Sequence, residues 1–420
     1  MNLRLIGIGA AGNKASIEAI EQGVLDKSRV KLLNSTMQDI PVDYMEIAEC
    51  FAGTDSTGGC GKEPEIAEDL MMDALRDGRI RIDNFFDQND QMCVIVTSTE
   101  GASGNGGTIT LARYISEVLG IHVSIFAFVG FKDDARGINN TVRFFNNLSP
   151  EYTIQAISNL AFFTGSKTKA EKLANEDFAK KLRVLCFKDL VSSKQNIDET
   201  DQLKLSTTPG FMVIEQASLE RLKSKDAFNE ICENMINNSS SLEFEGKAIR
   251  IGVIINGSEK TLGNIDDSFK VIKDKFGDGY EFYHHIQSEK EPETVSVIAA
   301  GLKLPKEEVL KLVDEYNSKV KDIDTEDSFF ADLSVRSKGM QNTVNRRFSL
   351  GSTKKKVKSV SKEEKMAFLR KSMTGIMEER KPQIYNVEKE KKYEEKDEKK
   401  SNFFNTQKKA EDDEPAIKKY

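Results

Sequence analysis

The stretch Thr97–Thr108 constrains the fold of this chain more than any other part of its sequence. It follows the apolar run Met92–Val96, typical of a buried β-strand, and precedes Ile109–Leu119, where apolar residues recur at helical spacing. Four of the seven residues from Gly101 to Gly107 are glycines. Small residues let backbone N–H groups approach an anion, and the following helix adds the positive end of its dipole. The pattern favours a phosphate-binding loop over the plainer alternative, a flexible glycine-rich surface turn.

Two further glycine-rich segments each precede a predicted helix. The first, Gly7–Gly12, follows the strand Leu3–Ile6, leads into a helix predicted from Asn13, and matches the GxGxxG fingerprint of dinucleotide-binding proteins. That fingerprint needs an acidic residue after the second strand, where this chain has Asn34 followed by Ser and Thr. An NAD(P)-dependent oxidoreductase is therefore only a distant alternative. The other segment is 57–65, and three such loops fit a triphosphate that is contacted from several sides.

Strands and helices alternate through the first part of the chain, which predicts a doubly wound parallel sheet with these loops at its carboxyl edge. A long helix is predicted over 169–193, which contains neither Gly nor Pro. It leads to a short loop with three carboxylates, Asp198, Glu199 and Asp201. These are either a solvated helix-capping group or functional acids. From Thr207 onward the pattern indicates a second, smaller α+β domain.

The charges are unevenly distributed along the chain. The net charge is −7, but the residues from Thr353 onward carry 20 Lys and Arg against 14 Asp and Glu, which leaves 41 against 54 in the first 352 residues. A basic tail on an acidic body predicts that a partner, an acidic adaptor protein or a DNA-bound partner, would meet the tail. The five cysteines form no CxxC pair, and we expect no signal peptide. We therefore predict a cytoplasmic protein without a transmembrane segment.

The glycine-rich segments resemble those of the tubulin and FtsZ superfamily, which are GTP-dependent filament proteins. Gly7–Ala15 is similar to the first phosphate loop of that family, and Asn34–Gln38 to its Asn-Thr-Asp segment. Gly59–Glu65 resembles Gly-Ala-Gly-Ala-Asn-Pro-Glu, and Gly101–Gly107 falls where the signature Gly-Gly-Gly-Thr-Gly-Thr-Gly stands. The resemblance covers roughly residues 3–303.

Two downstream motifs resemble the family in sequence and in spacing. Ala174-Asn175-Glu176 is similar to Ala-Asn-Asp at the start of the family's central helix. The segment 196–201 is similar to Asn-Val-Asp-Phe-Ala-Asp of its synergy loop, and the two Asn residues, Asn175 and Asn196, are 21 positions apart, as in the family. The resemblance implies that Asp198 and Asp201 are catalytic and act on the nucleotide of the next subunit in a head-to-tail homo-polymer.

The resemblance further implies GTP or GDP with Mg²⁺ as the bound species and no dedicated protein metal site. The residues expected to contact the nucleotide are Gly9, Ala10, Ala11, Gly12, Asn13, Asn34, Gly61, Gly101, Ala102, Ser103, Gly104, Asn105, Gly106, Asp133, Arg136, Asn175 and Glu176. The expected organisation is a GTP-binding domain (1–168), a central helix (169–195), a synergy loop (196–206), an α+β activation domain (207–303), a C-terminal helix (304–333) and a charged, mostly disordered tail (334–420).

Within the superfamily, Thr208-Pro209-Gly210 and the basic tail resemble the TubZ branch, which serves plasmid or phage DNA segregation. A cell-division FtsZ-type protein is the main alternative. The signature loop departs from the family because Ala102, Ser103 and Asn105 replace residues that are normally Gly or Thr. A GTP-binding filament scaffold with little hydrolysis is therefore a further alternative.

Overall fold

The computed structural model describes residues 2–53, 58–190, 197–288, 292–304 and 306–325, all within one compact unit. Its ten strands are β1 (Leu3–Ile8), β2 (Val30–Asn34), β3 (Ala48–Cys50), β4 (Met92–Ser98), β5 (His122–Val129), β6 (Thr153–Ser158), β7 (Gly210–Ser218), β8 (Arg250–Asn256), β9 (Glu281–Gln287) and β10 (Thr294–Leu302). The helices are α1 (Gly9–Glu21), α2 (Pro64–Arg76), α3 (Ala102–Arg113), α4 (Ala135–Asn147), α5 (Lys167–Leu185), α6 (Glu199–Thr207), α7 (Lys225–Asn237), α8 (Glu259–Leu262), α9 (Lys270–Phe276) and α10 (Lys306–Thr325).

All ten strands lie in one sheet, in the order β3-β2-β1-β4-β5-β6-β7-β10-β8-β9. Only the two ladders of β10, with β7 and with β8, are antiparallel. The α/β fold class predicted from the sequence is confirmed. The strands expected in the second, α+β part extend the same sheet, because β7 pairs in parallel with β6 at Thr153↔Gly210 and Ile154↔Phe211.

Helices cover both faces of this sheet. The residues of β1 are all buried, as expected for a parallel strand covered on both sides. One apolar core joins the sheet to α2, α3, α4, α7 and α9. The other joins it to α1, α5 and α6. Each core continues from the β1–β6 half of the sheet into the β7–β10 half.

The central helix α5 is shorter than the sequence predicts. It has 19 residues, about 28 Å at 1.5 Å per residue, and ends at Leu185 instead of Ser193. The end is a Schellman motif: Lys188 N–H donates to the Arg183 carbonyl, and Phe187 N–H donates to the Val184 carbonyl. Phe187 takes the left-handed conformation, with φ 51°, that glycine usually supplies at this position. A stop without glycine carries no signal in the sequence.

The predicted synergy loop and the predicted C-terminal helix also differ from their observed counterparts. The synergy-loop segment 196–206 is mostly helical, since α6 begins at Glu199 with Asp198 as its N-cap. Asn196 lies outside the described residues. The C-terminal helix is present as α10, whereas residues 326–333 of the predicted segment and the whole tail lie outside the described residues.

Candidate functional site

Three helices begin near the carboxyl edge of the sheet without a capping side chain. α1 and α3 follow β1 and β4, and α2 begins at Pro64, beside Gly106 of α3. No side chain caps α1, α2 or α3. By contrast, an Asp or Ser side chain caps each of α4 to α8. α9, which lies in the β7–β10 half of the chain, is also uncapped. Free first-turn N–H groups of α1 and α3, with their helix dipoles, suit a phosphate. α2 adds mainly its dipole, because Pro64 has no N–H and the Ile66 N–H donates to the Glu63 carbonyl. We call these first turns, with the loop 58–63, the cradle.

The first turns of α1 and α3 touch through their backbones. A Cβ built on Gly9, whose φ is +75°, would lie 2.9 Å from the backbone nitrogen of Gly104. A Cβ on Gly104 would in turn lie 2.6 Å from Thr97 Oγ1 and 3.2 Å from the carbonyl oxygen of Ile8. Any larger residue at either position would push the two helix N-termini apart.

The glycine-rich loops predicted at 7–12 and 97–108 are shorter in the structure than the sequence predicts. Residues from Ala102 onward already belong to α3 and residues from Gly9 onward to α1, instead of helices starting at Ile109 and Asn13. The glycines serve close packing: a Cβ on Gly12 would lie 2.1 Å from the Val96 carbonyl oxygen. The helix signal is hidden because glycine disfavours helices in general.

The expected nucleotide-binding residues of the cradle fall into two groups. Those that keep exposed surface are Ala10, Ala11, Gly61, Gly101 and Ser103. The Ser103 Oγ lies 2.7 Å from the Oγ of Ser35, which ties α3 to the end of β2. The buried ones could offer only backbone to a ligand: Gly9, Gly12, Ala102, Gly104 and Gly106.

Three asparagines expected to contact the nucleotide have buried side chains that serve the fold. Asn105 Nδ2 donates to the carbonyls of Thr99 and Asn140, both at 2.7 Å. Asn13 Nδ2 donates to the Leu33 carbonyl at 3.1 Å. Asn34 accepts from the Ser35 N–H at 2.9 Å. Each of these side chains makes at least one internal hydrogen bond, and Asn13 Oδ1 is buried without a partner among the described residues.

Asp133 and Arg136 lie at the rim of the cradle in exposed ion pairs. Asp133 pairs with Lys167 at the start of α5. Arg136, in the first turn of α4, lies 2.8 Å from Glu63. Both side chains therefore hold neighbouring segments together. α4 begins at Ala135, because Asp134 caps it by accepting the Gly137 N–H.

Glu100 is a component of the site that sequence reasoning missed. Its Oε1 accepts the Lys132 N–H at 2.9 Å, and a Cβ built on Gly130 would lie 2.2 Å from its Oε2. Burial raises the pKa of this carboxyl above its ordinary value of 4.5, and the carboxylates of Asp133 and Asp134 add to the rise. A half-buried carboxylate thus joins the β4–α3 turn to the loop that follows β5.

The raised pKa of Glu100 predicts a pH-dependent effect of Glu100→Gln. Folding disfavours the ionised form, so the carboxyl's contribution to the free energy of unfolding falls as pH rises above 4.5 towards the folded-state pKa. The Gln side chain keeps an acceptor for the Lys132 N–H without that charge. The stability difference, variant minus wild type, should grow across this window in denaturant titrations without nucleotide. A constant or shrinking difference would contradict the assignment; the exposed Glu220→Gln is the control.

Asn175 and Glu176 lie half-buried on α5, which packs against α1. Glu176 lies 3.9 Å from Lys172. About one turn further along α5 lies a buried cation that no local sequence pattern predicts. Lys181 is 3% exposed, lies 2.9 Å from Glu215, and donates to the Ile214 carbonyl at 2.6 Å. This network fastens α5 to β7.

The two acids expected to be catalytic lie at the opposite edge of the sheet. α6 leads into β7, whose first residues pair with the start of β6, whereas the cradle lies where β1 and β4 end. β6 alone spans about 20 Å at 3.3 Å per residue.

Asp198 caps α6 by accepting the Asp201 N–H at 2.8 Å. Burial raises the pKa of Asp201, and the Asp198 carboxylate raises it further.

Among the described residues, no cluster of three or more His, Cys, Asp or Glu side chains could hold a metal ion. In the same part of the chain, no helix has the length and apolar character needed to cross a membrane. The fold and the cradle define an α/β protein with a candidate polyphosphate site at one edge of its sheet and a pair of carboxylates at the other.

Several solved structures share the architecture of this chain. The chain matches TubZ of Clostridium botulinum phage c-st without its C-terminal tail (TM-score 0.61, 16% identity, 76% of this chain and 98% of that one). It also matches a GTPγS-bound protofilament of Haloferax volcanii CetZ2 (TM-score 0.64, 17% identity, 77% of this chain and 100% of that one). A third match is an empty FtsZ dimer from M. jannaschii (TM-score 0.56, 17% identity, 72% of this chain and 92% of that one). No family model and no curated protein matches the sequence.

The chain therefore has the tubulin/FtsZ superfamily fold, and the resemblance seen in its sequence is confirmed at the level of the fold. The three matched branches have similar TM-scores, so the fold does not distinguish among them. A dinucleotide-dependent oxidoreductase has no support from these structures.

Proposed function

We propose that this protein is a GTP-dependent polymerising protein that hydrolyses GTP between successive subunits of a head-to-tail filament. The observation that carries the proposal is the placement of the cradle and of Asp198 and Asp201 at opposite edges of one sheet. Within a subunit the acids lie too far from the cradle to act on a ligand there. A second subunit stacked in the same orientation supplies them, and such a heterologous contact repeats into an open filament.

The residues present fit GTP as the substrate. The first-turn N–H groups of α1 and α3 would hold the phosphates, with Ser103 adding a hydroxyl. Asn175 and Glu176 on α5 would contact the base. Mg²⁺ usually binds through substrate phosphates with few protein ligands, so it would enter with the triphosphate and neutralise its charge.

The acids of the neighbouring subunit would act on the attacking water. Asp201 would orient the water and accept its proton as the oxygen attacks the γ-phosphorus and the bond to the β–γ bridging oxygen breaks. Burial and the Asp198 carboxylate raise the pKa of Asp201, which favours its accepting a proton, whereas the Asp198 side chain is occupied in capping α6. A solved protein of this fold, CetZ2, is a GTPγS-bound protofilament, which supports the proposal that this chain binds GTP in a filament.

GTP turnover per subunit should rise with protein concentration, because each active site needs two subunits. Phosphate release measured over a range of protein concentrations tests this, together with sedimentation in GTP, GDP and GTPγS. Turnover per subunit that does not change with concentration would contradict the divided site. Sedimentation without turnover would instead favour the scaffold alternative.

We further propose that the filament serves plasmid or phage DNA segregation, in the manner of the TubZ branch, and is cytoplasmic. The support is the sequence Thr208-Pro209-Gly210 before β7 and the basic tail after α10, through which an adaptor or DNA-bound partner would bind. A ring-forming division protein is the competing assignment. Cosedimentation of the filaments with DNA in the presence and absence of the native host's extract distinguishes a DNA-linked role from a division role.

A further inference from the structure

The peptide units around Lys132 are held from two sides. Lys132 has φ 59°, in the left-handed region that a non-glycine residue keeps only when its surroundings hold it there. Its N–H donates to Glu100 Oε1 at 2.9 Å, and its carbonyl accepts from Lys319 Nζ at 2.7 Å. The same ammonium donates to the Asp133 carbonyl at 3.2 Å.

Lys319 belongs to α10, the helix that follows the last strand of the other half of the sheet. α10 packs along α4, with Leu312 buried. The helix thereby carries the Lys319 ammonium across to the loop that follows β5. The Lys319 side chain is 33% exposed, so the charge-assisted hydrogen bonds from its ammonium to the two carbonyls are partly shielded from water.

The loop 130–134 contacts two parts of the cradle, the turn before α3 and the loop 58–63, and also the start of α5. Glu100, which anchors it, immediately precedes Gly101 and the first turn of α3. The side chain of Asp134 pairs with Lys62, next to Gly61, and that of Asp133 pairs with Lys167 at the start of α5. A change in the conformation of Lys132 would therefore move the parts of the site that surround the phosphates.

We propose that Lys319 is a positioning residue for nucleotide binding, which holds the loop 130–134 in its binding conformation from the C-terminal helix. The proposal rests on the function proposed above, because it assigns the cradle to GTP. Since coupling between two sites is reciprocal, bound GTP should in turn strengthen the attachment of α10.

Three substitutions in the full-length protein test the proposal. Lys319→Met keeps most of the length of the side chain but removes its donors, whereas Lys319→Arg keeps a charged donor. Lys311→Met makes the same change as the first variant on the same helix, at a side chain that is 61% exposed and pairs within the helix with Glu308. It controls for general weakening of α10.

The first measurement is equilibrium binding of a fluorescent GTP analogue below the concentration at which filaments form. Lys319→Met should raise the Kd for the analogue about tenfold, which corresponds to ~1.4 kcal/mol. The Kd values of Lys319→Arg and Lys311→Met should stay within about twofold of the wild-type value. The second is hydrogen–deuterium exchange of the segment 130–134 without nucleotide, which should be faster in Lys319→Met only. GTP should slow exchange in α10 of the wild type.

The outcomes are distinguishable. Wild-type affinity and wild-type exchange in Lys319→Met would overturn the proposal, and so would faster exchange with unchanged affinity. An equal loss of affinity in Lys319→Met and Lys311→Met would reduce the effect to helix stability and overturn it as well. If the wild type binds no GTP, the proposed function fails, while the exchange measurement still decides whether Lys319 holds the loop.

Discussion

Asp201→Asn should lower GTP turnover by at least about 100-fold, the low end of what general acid–base groups contribute, while leaving GTP affinity within about twofold of wild type. The amide has the shape of the carboxylate but cannot accept the proton of the attacking water. The α6 cap is kept, because Asp198 accepts the backbone N–H of residue 201 and not its side chain. Filaments should still form and should persist, which sedimentation and single-turnover phosphate release would measure.

The matched control is Asp226→Asn, which neutralises an exposed acid in the first turn of another helix, α7. A stronger test mixes two inactive variants. Ala10→Glu places a carboxylate at an exposed position of the cradle and should abolish GTP binding while its Asp201 stays intact. In an equal mixture with Asp201→Asn, random head-to-tail contacts should restore about a quarter of wild-type turnover. No recovery, or loss of GTP binding by Asp201→Asn alone, would contradict the divided site.

Gly106→Ala should destabilise the protein by about 3 kcal/mol, although alanine is the better helix former. A Cβ at this position of α3 would lie 2.0 Å from the carbonyl oxygen of Pro64 and 3.0 Å from the backbone nitrogen of Glu68. Both atoms belong to the backbone of α2 and cannot rotate away, so the two helices must separate. Denaturant unfolding without nucleotide would measure the loss.

Gly107→Ala is the control one residue further along the same helix. Its Cβ would meet Ile8 Cγ2 and Met71 Cε, both at 3.2 Å. Met71 Cε is the end of a flexible side chain, and the Ile8 methyl needs to move by only a few tenths of an ångström, so we expect a change within about 1 kcal/mol. Equal effects of the two substitutions would show that packing against the α2 backbone is not what requires glycine at position 106.

Much of the fold follows from local patterns in the sequence. The apolar run Met92–Val96, predicted as a buried strand, is β4. Such runs are predictable because a strand covered on both faces needs them. β9 was missed, since Glu281–Gln287 has two histidines and a glutamine in place of an apolar run, and pairs at the edge of the sheet with β8 alone.

The candidate site was less predictable, because several of its parts depend on distant backbone. The use of Gly12 and Gly106 as packing positions depends on carbonyls of β4 and α2. The anchoring of Lys132 depends on Glu100 and Lys319, which are 32 and 187 positions away in sequence. A lysine in a charged helix is ordinarily solvated, and nothing local marks this one as different.

The join between β6 and β7 has a mechanical consequence. Only two residue pairs connect these strands; beyond Ile154 the segment 240–242 takes over, with Ser158 N–H donating to the Ser240 carbonyl and Leu242 N–H to the Ala156 carbonyl. The sheet thus has its fewest direct strand-to-strand bonds between the cradle and the acids. In the proposed filament, bending of a subunit would act first on this join, against the two apolar cores that continue across it.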